Sequence, residues 1–282
     1  MIIDFHTHVF PPEVKKNRNK YIERDPCFAI LYSDPKAKIA TADELIASMD
    51  EAGVDISVIL NIGWTTHELC VETNDYIIDS VSRYPRRLVG FCAVQPNSPK
   101  AAAAEIERCA GVGIRGVGEM RPDIQLFDLG DEMVMEPLAE VLKEHKLALL
   151  LHSSEPVGHD YPGKGGITPD ILYPFIASFP DLTIICAHWG GGLPFYALMP
   201  EVKKVIDNVY FDSAASPFLY TPEVYQQVIT LVGADKVLFG SDYPLLTQSR
   251  LLDEIETLDM PEETKNLVLA GNALRLLGIK GK

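Results

Sequence analysis

The chain is short of positive charge: 25 lysines and arginines stand against 40 aspartates and glutamates, a formal net charge of -15. Phosphate backbones and anionic membrane surfaces are bound by basic patches, so this balance argues against nucleic-acid and membrane partners and leaves a small-molecule partner as the expectation. Cysteine is also sparse. The five present (Cys27, Cys70, Cys92, Cys109 and Cys186) include no C-x-x-C pair, and Cys92 and Cys186 sit inside apolar runs. Buried free thiols in a reducing cytoplasm are therefore expected, rather than a disulfide framework. No basic segment followed by a long apolar stretch opens the chain, and no uninterrupted apolar segment approaches the roughly 18 residues of a membrane span. Internal repeats, low-complexity tracts and linkers are missing as well, which points to a single domain over residues 1–282. A homodimer is compatible with this composition but not specified by it.

What the chain does have is 47% hydrophobic residues, enough for a large core, arranged as short apolar runs alternating with longer helical patterns. The runs are residues 2–5, 56–62, 88–94, 114–118, 147–151, 182–187, 209–211 and 237–239. Their near-continuous Val, Ile and Leu suits strands buried on both faces of a parallel sheet. Helices are expected over residues 41–52, 69–83, 101–110, 135–145, 169–179, 195–206 and 222–232, with 251–258 and 262–277 closing the chain. Thr41-Ala42-Asp43-Glu44 has the pattern of a capping box. Eight strands, each followed by a helix, in a chain above the about 250 residues such a unit needs, describe one (β/α)8 TIM barrel of the α/β class. Residues 10–40 form the one irregular segment, a long loop after the first strand and a candidate lid or substrate contact.

Catalytic groups of such a barrel come from the carboxyl ends of its strands. His6 and His8 close the first run, one residue apart and so on one face of a strand. Glu119 closes the fourth, His152 the fifth and His188 the sixth, while Asp242 follows the eighth. Three imidazoles and one carboxylate form a borderline donor set: Zn2+ is the expected ion, and Mn2+, Fe2+ and Co2+ are also admitted. Such a set would saturate a tetrahedral ion, so a water in a fifth position or a loosely bound Asp242 is expected. A metal-bound water loses its proton near neutrality, and His188 is placed to orient or deprotonate it. His67 at a helix start, and His145 at a helix end where it interacts with the dipole, have milder structural readings.

These motifs together resemble the amidohydrolase superfamily, in the amidohydrolase 2 branch that includes aminocarboxymuconate-semialdehyde decarboxylase and related aromatic-acid decarboxylases. The resemblance runs end to end. It rests on Asp4-Phe5-His6-Thr7-His8, Gly116-Val117-Gly118-Glu119, His152, Ala187-His188-Trp189-Gly190-Gly191-Gly192, Phe239-Gly240-Ser241-Asp242-Tyr243-Pro244 and the closing Asn272-Ala273-Leu274-Arg275-Leu276-Leu277-Gly278. It implies that His6, His8, His152 and Asp242 bind the metal and that His188 is the nearby acid or base; in a hydrolase Asp242 would share the proton handling with His188. Members with two metals usually carry a carboxylated lysine after strand four. This chain has Glu119-Met120-Arg121 there, so a mononuclear site is expected, with Glu119 a supporting partner, a substrate contact or a bridging ligand.

The segment 154–166 follows the fifth run and is expected to overhang the metal, with His159, Tyr161 and Lys164 as substrate contacts. An anionic substrate would call for a cation near the metal, for which Arg121, Arg18, Arg24 and Lys164 are candidates. Two enzyme activities compete for this site. The first expectation is a hydrolase acting on a small anionic ester, lactone or amide through a metal-activated water. The alternative is a non-oxidative decarboxylase of an aromatic or unsaturated carboxylic acid. A barrel that only binds a ligand should show gaps in the metal set, and there are none.

Overall fold

The computed structural model describes residues 1–279. Each of the eight apolar runs is a strand: β1 (Ile3–His8), β2 (Ile56–Leu60), β3 (Leu88–Cys92), β4 (Gly116–Met120), β5 (Ala148–Leu151), β6 (Ile184–Cys186), β7 (Val209–Asp212) and β8 (Val237–Leu238). They pair in sequence order, all parallel. Closure comes from the segment after β8. Phe5 donates its N–H to the Phe239 carbonyl at 2.7 Å, Asp242 donates to His6 at 2.9 Å, and His8 donates to Tyr243 at 2.6 Å. Those bonds lay Asp242 beside the two strand-end histidines.

Alternation along the strands separates two cores. Ile59, Leu149, Leu151, Ile184 and Cys186 belong to the large cluster that takes in the surrounding helices, so this face points outward. Val58, Leu60, Phe91, Leu150, Ile185 and Leu238 form a second cluster that fills the barrel, with Ile3 and Phe5 of β1. Small residues make room inside it. A Cβ at Gly116 would lie 2.4 Å from the Phe91 ring and 2.7 Å from the Ala148 carbonyl. The pairing register shifts in β1 between Asp4 and Thr7, and in β4 between Val117 and Met120. Bulges of this kind re-aim side chains at a barrel rim, and these two precede or contain His6, His8 and Glu119.

Two expectations need correction. The segment after β1 is not an irregular loop: it folds as three short helices, Pro12–Lys16, Arg18–Arg24 and Pro26–Tyr32. Each is too short to show a helical period, but prolines at the first turns of the first and third, and the Asp25 cap on the Phe28 N–H at 2.9 Å, mark two of the three starts. They enclose a third core in which Phe28 stacks on Trp64 at 5.6 Å, with Phe10, Tyr21 and Tyr32 around the pair. The single helix expected over 195–206 is instead a 3-10 segment, Leu193–Leu198, followed by Pro200–Val205, because Pro200 cannot continue the preceding hydrogen-bond ladder. The capping box at Thr41 is present, with the Thr41 N–H donating to Glu44 Oε2 at 2.9 Å.

Gly116→Ala is expected to cost about 1–3 kcal/mol by overpacking Phe91 against β5. Thermal unfolding should show Tm lowered by several degrees with the far-ultraviolet dichroism unchanged. An unaltered Tm would mean that the interior has slack.

Candidate metal centre and active site

His6 is fully buried and its Nδ1 donates to Asp212 Oδ2 at 2.9 Å. That bond selects the tautomer whose Nε2 lone pair points away from Asp212, and Nε2 faces His8 Nε2 at 3.1 Å. Around these two nitrogens stand Glu119 Oε2, 3.9 Å from His6 and 3.6 Å from His8, and Asp242 Oδ1, 3.9 Å and 3.4 Å away. Donors on one tetrahedral ion with bonds of about 2.0–2.1 Å lie roughly 3.3 Å apart. Two imidazoles with either carboxylate at 3.1–3.9 Å therefore fit a single divalent cation. Two lone pairs opposed at 3.1 Å repel unless a proton or a cation lies between them.

His152 lies across Glu119 from that pair. Its Nδ1 meets Glu119 Oε1 at 2.8 Å and its Nε2 meets the Ser154 hydroxyl at 3.2 Å. His188 Nε2 also meets Glu119 Oε1, at 3.3 Å. Glu119 is thus shared by two groups with metal-binding geometry, His6–His8–Glu119 and Glu119–His152–His188. The structure makes Glu119, expected as a supporting partner, a substrate contact or a bridging ligand, the hub of the cluster.

His188 and Asp242 both occupy left-handed backbone, with φ of 55° and 65°. His188 opens a run of positive φ that continues through Trp189 to Gly192. Non-glycine residues adopt this region at a cost of order 1–3 kcal/mol each, so the surroundings must hold them there. Asp212 Oδ1 accepts the His188 N–H at 3.0 Å, and His188 Nδ1 donates to the Ala214 carbonyl at 3.0 Å, leaving Nε2 as the nitrogen that faces the cluster. The glycines suit the turn, and Gly191 has no room for a Cβ, which would lie 2.2 Å from the Ser154 carbonyl.

Burial pushes the His6 imidazole down, but Asp212, then Glu119 and Asp242, outweigh it and raise it to about 10. Burial also opposes the His188 charge, and Glu119 and Asp242 reverse that to about 9. His152 goes the other way, to about 4, through burial and the nearby Arg121 charge. Burial raises the two carboxylates, yet His152, His188 and His6 hold Glu119 well below its usual range, and His8, His6 and His188 hold Asp242 at about 2. The metal-free cluster thus keeps its acids ionised by keeping protons on His6 and His188.

A cavity of about 460 Å³ opens over this cluster, in the size range of small-ligand sites. Its floor is His8, Glu119, His152, His188 and Asp242, with Arg121 on one wall, and its sides include Leu31, Tyr32, Ile62, Phe218, Leu219 and Leu245. Tyr32 and Leu31 come from the three-helix excursion. His159 and Tyr161 line the cavity as expected. Lys164 does not; it turns back onto the Val157 and His159 carbonyls at 3.4 and 3.2 Å. Arg18 is engaged by the Asp34 and Ala37 carbonyls, and Arg24 by Glu72 and the Tyr21 ring, so neither is the anion clamp. All five cysteines are buried and free. No helix among the described residues is long and apolar enough to cross a membrane.

Sequence reasoning missed Asp212 and Asp4. Asp212 sits one residue beyond the seventh run as first delimited, and a strand-end acid was the available signal. Asp4 accepts the Ser241 N–H at 2.9 Å and its hydroxyl at 2.6 Å, pinning the turn that carries Asp242.

Comparison with known proteins agrees with this architecture. The amidohydrolase family model matches residues 3–279. The 2-amino-3-carboxymuconate-6-semialdehyde decarboxylase of Dictyostelium discoideum is 24% identical, with 98% of this chain and 91% of that protein aligned. The gamma-resorcylate decarboxylase of a Polaromonas species is 24% identical over 83% of this chain and 86% of its own length. Among solved structures, 5-carboxyvanillate decarboxylase from Novosphingobium aromaticivorans superposes with a TM-score of 0.82 at 20% identity, covering 99% of this chain and 97% of that one. That structure contains manganese and 3-methoxy-4-hydroxy-5-nitrobenzoic acid.

Two outcomes are expected from this geometry. Asp212→Asn should weaken divalent-metal affinity about 10–100-fold, because the His6 tautomer and ring orientation lose their anchor; titration with Mn2+ measures it, and unchanged affinity would remove His6 from the ligands. At pH 7 metal loading should release protons, since His6 is protonated below about 10 in the metal-free protein. Affinity then falls as pH falls. Calorimetry in buffers of different ionisation enthalpy reads the release, and its absence would contradict a protonated His6.

Proposed function

The chain belongs to the amidohydrolase family, and from that premise we propose that it is a metal-dependent carboxy-lyase that removes CO2 from a small aromatic or unsaturated carboxylic acid. The observation that carries this reading is the shared decarboxylase activity named for relatives that align over most of their length. The site supports it independently. A space of about 460 Å³, with Leu31, Ile62, Phe218, Leu219 and Leu245 among its sides, stands over the His188 imidazole, whose Nε2 is the nitrogen left free of the Ala214 carbonyl, which suits delivery of a proton to a carbon of a small substrate. The hydrolase expectation, built on an activated water attacking a carbonyl, is the less supported of the two.

His6, His8 and Asp242 are assigned as metal ligands with Glu119 beside them, at donor separations from the two imidazoles that fit one divalent cation, and His152, which meets Glu119 from the other side, is assigned as the further ligand. When bound, such an ion supplies Lewis acidity to substrate oxygens. The donor set admits Mn2+, the ion in the structural neighbour, as readily as the Zn2+ expected from the sequence. His188 then acts as the acid. Its Nδ1–H is fixed on the Ala214 carbonyl, so the ring cannot turn away, and Nε2 donates a proton to the carbon that retains the electron pair of the broken C–C bond. Glu119, 3.3 Å from that nitrogen, stabilises the imidazolium before transfer. The apolar walls exclude water from the carbon and favour release of neutral CO2.

His188→Ala is expected to leave metal content near one ion per chain and to lower turnover about 10²–10⁴-fold, the usual effect of a positioned acid. CO2 evolution from a panel of hydroxybenzoic and muconate-type acids, run beside a lactone panel, tests the reaction itself. Acid release from lactones with no CO2 from any acid would overturn the carboxy-lyase assignment, and loss of metal in the His188 variant would move that residue into the ligand set.

A further inference from the structure

We infer that the Tyr32 hydroxyl donates a hydrogen bond to an uncharged oxygen of the substrate, a hydroxyl, ether or carbonyl group carried on the carbon frame away from the reacting carboxylate. The inference takes the acid from the carboxy-lyase reading above, but the contact stands without turnover.

Tyr32 ends the third helix of the excursion, is only 7% exposed and lines the cavity. Its ring is held on two sides, edge-on to Phe10 with centroids 5.2 Å apart and tilted onto Phe28 at 4.7 Å, so it cannot swing out to solvent. Leu31 beside it meets the 154–166 segment, where a Cβ on Gly163 would lie 3.2 Å from Leu31 Cδ2. Tyr32 therefore stands where two loops join, in a wall and not on open surface. Tyr21, Tyr76, Tyr84 and Tyr161 each use the hydroxyl in a hydrogen bond within the protein. Among the described residues the Tyr32 hydroxyl meets no partner, yet it is not sealed in the core as the Tyr225 hydroxyl is. It opens on the cavity. Burial first, then Asp242, Cys27 and Glu119, hold this phenol well above its ordinary range, so it keeps its proton. The excursion thus places a fixed donor on the same space as the metal-binding and proton-carrying groups.

A donor without a partner in the protein finds one in water or in the ligand. When substrate displaces the water, a carbon at that point leaves the hydroxyl buried and unpaired, whereas an oxygen keeps the bond. A site of this kind discriminates against the analogue that lacks the acceptor. Charge narrows the class of acceptor. One neutral donor beside Leu31 and Ile62 cannot replace the water shell of a second carboxylate, and the acids that act on this phenol, Asp242 and Glu119, would repel one. A hydroxyl, ether or carbonyl oxygen needs a single donor and brings no charge. Because the ring is wedged between Phe10 and Phe28, the bond also fixes how the substrate lies over the strand ends. The competing role is packing, in which the Tyr32 ring only fills the wall and its hydroxyl has no effect on the choice of acid.

Binding separates the two roles. Mn2+-loaded protein would be titrated calorimetrically at pH 7 with 2-, 3- and 4-hydroxybenzoate and with the methylbenzoate of each pattern, which matches the size and lacks the acceptor. At one or more ring positions the hydroxy acid should bind about 3–10-fold more tightly than its methyl counterpart, the scale of a hydrogen bond between neutral groups. Tyr32→Phe, which keeps the ring and removes the hydroxyl, should bring that ratio close to one without weakening the methylbenzoates or changing the metal content. Ratios near one at all three positions in the unsubstituted protein would overturn the inference without any variant, as would binding of none of the acids or ratios that all persist in Tyr32→Phe. Equal weakening of hydroxy and methyl acids in the variant would reduce Tyr32 to a packing residue. CO2 evolution measured in parallel keeps the two assignments apart. A Tyr32-dependent preference with no CO2 from any acid sinks the carboxy-lyase reading and leaves Tyr32 in its role; CO2 release with no such preference does the reverse.

Discussion

One fully buried carboxylate, Asp212, sets the geometry on which the site depends. Its Oδ2 accepts from His6 Nδ1, and its Oδ1 accepts the backbone N–H groups of His188 and Ala214 at 3.0 and 3.1 Å. The first bond chooses the His6 tautomer and so aims a lone pair at His8. The second offsets part of the cost of left-handed backbone at His188 and so fixes where that imidazole emerges from β6. Two histidines that belong to β1 and β6, three strands apart around the closed barrel, are thus positioned by a single group. Their spacing cannot drift independently.

Charge balance imposes the next constraint. Glu119, Asp242 and Asp212 share a pocket with His6, His8, His152 and His188, and the interior tolerates so many acids only when cations face them. Without a metal, protons on His6 and His188 do this, while burial and the nearby Arg121 charge hold the His152 imidazole down. A divalent cation among the His6, His8 and Asp242 donors would supply the positive charge that two protonated histidines otherwise hold. The site is therefore better described as a cation-binding arrangement kept intact by protons than as a hydrogen-bonded network in its own right.

Much of this was legible in the sequence because barrel strands buried on both faces are unbroken apolar runs, and the polar residues that end them stand out. Eight runs became eight strands, and His8, His152, His188, Glu119 and Asp242 all face one cavity, with His6 fully buried beside His8. What escaped was whatever depends on register or on distant contacts. Bulges in β1 and β4 carry no residue signature, so the strand pattern alone did not show how His6 and Glu119 turn into the barrel. Asp212 reads as an ordinary polar residue after Phe211 until the β6 turn is folded over it. Lys164 resembled a substrate contact because its loop overhangs the site, but a long flexible cation is as easily satisfied by its own loop's carbonyls. Arg121 was a candidate from proximity to Glu119 alone; its unpaired nitrogens are visible only in three dimensions.

The three-helix excursion builds one wall of the cavity as a separately packed unit. Its core, built on Phe10, Phe28 and Trp64, is separate from the cores of the barrel interior and the surrounding helices. It is fastened to the barrel top by Asp25, which caps Phe28 and also accepts from the Thr65 N–H and hydroxyl at 2.8 and 2.7 Å. Arg18 ties its far end back at Asp34 and Ala37. A unit with its own packing can change shape without disturbing the strand ends, yet Leu31, Tyr32 and the 34–38 segment form a wall of the cavity. The residues proposed to bind metal and move protons therefore sit at the strand ends, where spacing is held by the sheet, while one wall of the cavity sits on an insert with a core of its own.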